Sequence, residues 1–125
     1  MSLISLPYCD VSYAAPVVTL RFKEGAELET EQVRQLIKAA EKLSGGKPYL
    51  LFSEAIVNVV ITSEARKAAA DPKEAPLLVA NAVLVNNLGL SLTANFFMKF
   101  NKPHFPVKVF YDQTKAMEWL LKFKV

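Results

Sequence analysis

A chain of 125 residues, 52% hydrophobic and 22% charged, is ample for one packed core and short for two domains, so a single domain spanning residues 1–125 is expected. One cysteine, Cys9, and one histidine, His104, exclude an intramolecular disulfide and any Cys/His metal cluster. The net charge of +3 is modest but uneven: residues 99–125 carry +4 and residues 1–98 carry −1.

The longest apolar runs, Pro76–Val85 and Leu88–Phe100, are broken by Asn81, Asn86, Asn87, Asn95 and Lys99, so neither reads as a membrane span. The opening MSLISLPYCD lacks the basic region and long apolar stretch of a secretory signal. Together with the lone thiol, this predicts a soluble cytoplasmic protein. The basic C-terminal quarter would suit an acidic partner, nucleic acid or anionic lipid, but a solvated surface is the favoured reading.

In chain order, Leu3–Tyr8 is a weak strand candidate. Val17–Phe22 (VVTLRF) has the β-branched content and alternation of a half-buried strand. Lys23, Glu24 and Gly25 mark a turn. Thr30 is the expected N-cap of a helix whose apolar face is Val33, Leu36, Ile37, Ala40 and Leu43, and Gly45 and Gly46 end it by supplying positive φ. Tyr49–Phe52 (YLLF) is a continuous apolar run, as for a central strand covered on both faces.

Ile56–Ile61 reads as a second short strand or a connection. Thr62 or Ser63 caps a helix running to Ala70, closed by Pro72 and Pro76. Leu77–Val85 is another buried strand, with Asn86 and Asn87 at the start of a following helix. Val107–Tyr111 is the last strand, and Asp112 caps a helix with Ala116, Met117, Trp119, Leu120, Leu121 and Phe123 as its apolar residues. This order predicts an α/β domain, a mixed and mostly parallel sheet of about five strands covered by about four helices, with the first two strands free to pair antiparallel.

The helix expected over Leu88–Phe100 has two apolar stripes. Leu88, Leu92, Phe96 and Phe100 form one; Leu90, Ala94, Phe97 and Met98 form the other, leaving a narrow polar strip of Ser91, Asn95 and Lys99. A helix on a sheet needs one such stripe, so the second implies deep burial, a contact with a second copy, or a partner or lipid surface.

No catalytic constellation can be built from one Cys, one His and no G-x-S-x-G elbow, so a non-enzymatic protein without a cofactor is expected. His104, between Pro103 and Pro106, has no sequence-local base, nucleophile or co-ligand. Ser44-Gly45-Gly46-Lys47 has a phosphate-loop flavour, but the chain leaves a helix there, whereas an anion site needs the loop to enter one. The carboxylates of Glu24, Glu27, Glu29 and Glu31 suit the first helix's positive end rather than an acid/base pair. Aromatics interleaved with the C-terminal lysines fall at core spacing, which argues against nucleic acid.

The phrases FKEGAELE (22–29), LSGGKPYLLF (43–52), TSEAR (62–66) and NFFMKFNKPHFPVKVFYDQTKAMEWL (95–120) resemble the bacterial STAS-like domains of unknown function, over residues 17–123. These are small relatives in fold of the sporulation anti-sigma factor antagonists, and their fold group also invites comparison with lipid-transfer domains. The resemblance implies a STAS-like fold, and it makes Ser63 the nearest counterpart of the antagonists' phosphorylated serine. The Asp-Ser-Ser-Gly type of sequence is absent there, and Glu64 would repel an added phosphate.

Three functional readings follow. The first is a STAS-like interaction module, a homodimer or one half of a complex, meeting its partner through Leu90, Ala94, Phe97 and Met98. The second is an apolar small-molecule or lipid-binding domain with its pocket beside the same helix. The third is a partner switch controlled at Ser63.

Overall fold

The computed structural model describes residues 2–55, 59–85 and 105–125. Strands β1 (Ser2–Leu6), β2 (Cys9–Ala14) and β3 (Val17–Phe22) form an antiparallel meander. Where Leu3–Tyr8 is expected as one strand, free to pair with Val17–Phe22, Pro7 and Tyr8 instead turn the chain, and β2 lies between. β2 has only one β-branched residue, Val11, so its propensity is weak. Pairing along both of its edges makes the strand. Ile4, Val11 and Leu20 stand in one cross-strand row on the core side. Ser5, Asp10, Arg21 and Glu54 form a polar row on the other, with Ser5 Oγ donating to Asp10 at 2.6 Å and Arg21 pairing with Glu54 at 3.1 Å.

Helix α1 (Thr30–Ser44) is capped one residue earlier than expected, at Glu29. The competing device is Gln32, whose side chain reaches back to accept the Glu29 backbone N–H at 3.0 Å, so Thr30 becomes the first helical residue. Its buried face is Val33, Leu36, Ala39 and Ala40. At the other end Gly45 and Gly46, at φ 66° and 76°, turn their N–H groups back to Lys42 and Glu41 carbonyls. That geometry is a helix exit, so the Ser44–Lys47 loop has no helix N-terminus to offer a phosphate.

β5 (Tyr49–Ala55) is central as expected, running parallel to β3 on one side and to β7 (Leu78–Val85) on the other. β8 (Val107–Phe110) continues the parallel half beside β7. Among the described residues the sheet is therefore mixed and has six strands in the order β1-β2-β3-β5-β7-β8, where about five are expected. Of the segment expected as Ile56–Ile61, only β6 (Val60–Ile61) is a described strand; it pairs with β4 (Glu27–Leu28) in a separate two-stranded ladder. Helix α2 (Ser63–Ala70) follows, ended at Asp71, whose extended backbone is what a residue before proline adopts. Helix α3 (Gln113–Leu120) starts at the Asp112 cap, its carboxylate accepting the Thr114 N–H at 2.9 Å. Among the described residues there are three helices; the one expected over Leu88–Phe100 lies outside them.

Period-2 alternation sorts the sheet's side chains into two cores. Val18, Leu20 and Tyr49 face α1, while Val17, Leu50 and Phe52 face α3, so the two helices lie on opposite faces. Opposite α3, β7 presents Ala80 and Ala82, and α3 presents Ala116; these small residues let Leu120 reach full burial. A register shift between Tyr49 and Leu50 against β7 changes that strand's phase. As a result Leu78 and, three residues on, Asn81 both face the α1 side, while Val79 and Ala80 pack on the α3 side.

Candidate functional site

The α1 side of the sheet holds a cavity of about 240 Å³. Its floor is Tyr49, Leu51 and Ser53 of β5 with Asn81, Val83 and Val85 of β7. Val33, Leu36, Ile37 and Ala40 of α1 form one wall, and Arg66 and Ala69 of α2 another. Phe105 and Val107 close the β8 end. An engineered apolar cavity of roughly 150 Å³ already takes up benzene, so this space is large enough for a small apolar molecule.

Three polar side chains other than Tyr49 interrupt the apolar lining. Ser53, buried in β5, donates its hydroxyl hydrogen to Asn81 Oδ1 at 2.9 Å. The bond ties the two parallel strands together across the floor through the Asn81 amide oxygen, not its N–H groups. Arg66, half-buried on α2, is the one charged residue among the described residues of the lining. These three are the site residues that the sequence reading missed. For two of them the signal is a polar side chain at an inward position of an apolar strand: Asn81 within LLVANAVLV and Ser53 directly after YLLF.

Of the expected site residues, Leu90, Ala94, Phe97 and Met98 lie outside the described residues, as does His104. Ser63 is exposed as the first residue of α2. The capping role belongs to its neighbour Thr62, whose side chain accepts the Ala65 N–H at 3.2 Å. Replacing Thr62 with Ala should cost about 1 kcal/mol of stability in urea unfolding, since one buried-end N–H loses its acceptor. Ser63→Ala should change stability by less than about 0.5 kcal/mol. A larger effect at Ser63 than at Thr62 would reverse the assignment.

Cys9 is fully buried and free, and burial followed by the adjacent Asp10 charge pushes its thiol up to about 12. A thiol kept protonated and out of solvent is a packing group rather than a nucleophile. Tyr8, likewise raised to about 12, first by burial and then by Cys9 and Glu31, sits 2.7 Å from Gln35 Oε1 and 3.1 Å from the Gln32 carbonyl, donating its hydroxyl hydrogen to α1. It pins the β1–β2 turn to the helix.

In the described part of the basic C-terminal quarter, Lys108, Lys115, Lys122 and Lys124 are exposed. Of the aromatics between them, Tyr111 is exposed, while Phe110, Trp119 and Phe123 pack on one another, Trp119 lying 5.7 Å from Phe110 and 4.9 Å from Phe123 between ring centroids. Rings engaged in this way are packing groups rather than platforms for bases. Among the described residues no cluster of His, Cys, Asp or Glu could hold a metal ion, and no helix is long and apolar enough to cross a membrane.

A comparison with curated proteins and one with solved structures find no match. A family model described as a domain of unknown function, DUF7793, matches residues 12–124, from within β2 to beyond α3. The match spans most of the chain, and the chain belongs to the DUF7793 family.

Proposed function

We propose that this chain is a non-enzymatic cytoplasmic binding module of STAS-like fold whose cavity between the sheet and helices α1 and α2 holds an apolar small molecule. The cavity carries the reading: about 240 Å³, walled largely by aliphatic side chains, with a few convergent polar groups. The mixed sheet with helices on both faces and the closing sequence pattern support the STAS-like part. The buried, proton-retaining Cys9 supports a role without thiol chemistry. Binding of a protein partner through Leu90, Ala94, Phe97 and Met98, which lie outside the described residues, and switching at the exposed Ser63, where Glu64 would repel an added phosphate, are the alternative readings.

The neutral fluorophore N-phenyl-1-naphthylamine tests the cavity directly. Saturable binding of one probe per chain is expected, competed by a ten-carbon alcohol. Val83→Phe places a ring in the floor of the space and should weaken the probe roughly tenfold or more, with the circular dichroism spectrum unchanged. Non-saturable binding, or binding indifferent to Val83→Phe, would remove the cavity from the account.

A further inference from the structure

We propose that the molecule held in this cavity is a single-chain amphiphile with one carboxylate, its hydrocarbon chain lying over the β5–β7 floor and its head at Arg66. The proposal rests on the cavity reading above and narrows it to a chemical class.

The charge of the lining is the first argument. Among the described residues of the lining Arg66 is the one cation, and no Asp or Glu stands with it. The ion pairs among the described residues engage Arg21, Lys23 and Arg34 with Glu54, Asp10 and Glu74, and none of these uses Arg66. Arg66 is half-buried, whereas Glu64 and Lys67 on the same helix are exposed. A guanidinium partly withdrawn from water attracts an anion more strongly than one in bulk solvent, and its forked donors match both oxygens of a carboxylate. One guanidinium balances one negative charge.

The floor supplies the second argument. Ser53 and Asn81 share one hydrogen bond at 2.9 Å and carry no charge, so a hydrocarbon chain lying across them strands no ion. Everything else on the floor and the α1 wall is aliphatic or aromatic. The volume supplies the third. It exceeds that of a benzene-sized cavity but lies below the roughly 300–1,000 Å³ of pockets for larger ligands, which suits one short chain and not a two-chain lipid.

Calorimetric titration of the full chain with decanoate and with decanol, both below their aggregation limits, separates the two ideas. Decanoate should bind about tenfold or more tighter than decanol. Arg66→Met keeps the apolar stem and should erase that preference, lowering decanoate affinity by about tenfold while decanol changes by less than about threefold. The melting temperature of the unliganded variant checks its fold. If decanol binds as tightly as decanoate, or if Arg66→Met weakens both equally, the carboxylate assignment is overturned and the apolar cavity stands. If neither compound binds, the space is filled from within the chain and both readings fall.

Discussion

Leu120→Ala should destabilise the protein by about 2–5 kcal/mol in denaturant unfolding, whereas its neighbour Leu121→Ala should cost less than about 0.5 kcal/mol. Leu120 is fully buried against Val17, Leu50 and Phe52 of the sheet, while Leu121 is 54% exposed. The difference is a cavity. Opposite Leu120 the strands and helix present Ala80, Ala82 and Ala116, none of which has a side chain able to fill the space. A domain of this size is typically stable by only about 5–15 kcal/mol, so the loss removes a large share of the total. Equal costs at the two positions would mean that α3 is not seated on the sheet by this side chain.

Stability should also fall steeply as pH rises from about 9 toward 12, by on the order of 4 kcal/mol through Cys9 alone. The Cys9 thiol has an ordinary value of 9.0 and is pushed up to about 12 in the folded chain, by burial first and by Asp10 second. Below 9 both states keep the proton and pH has no effect through this group. Between 9 and 12 the unfolded chain has released it and the folded chain has not, so the unfolded state binds fewer protons and alkali favours unfolding. Tyr8 adds to the loss between its ordinary 10.0 and about 12, with the same sign. Cys9→Ala should flatten the slope between pH 9 and 10, where Tyr8 contributes little, when unfolding is measured in denaturant across that range. Parallel slopes in the two proteins would show that Cys9 is not the group responsible.

Strong local signals carried through to the fold. The YLLF run became the central strand, the i, i+3, i+4 spacing from Val33 became the buried face of α1, and the Gly45-Gly46 pair ended that helix. The elements that escaped are those made by neighbours. β2 has weak propensity and exists because β1 and β3 flank it, and the two-residue strands β4 and β6 exist only as each other's partners. The cavity was hidden for a related reason. Its polar pair comes from strands separated by α2, and Asn81 faces inward only because a register shift against β5 resets the phase of β7. Reading Asn81 merely as an interruption of an apolar run misses that face.

The two halves of the sheet differ in how far apart in sequence their paired strands lie. The meander closes through turns of two residues, so each strand meets its partner almost as soon as both exist, at little cost in loop entropy. In the parallel half each strand must wait for a crossover to be traversed before its neighbour arrives. On a ribosome, which releases the chain from its N-terminal end, β1, β2 and β3 can pair before β5 emerges. The edge of β3 then stays open until β5 docks, and at that stage the nascent chain depends most on being shielded from other strands.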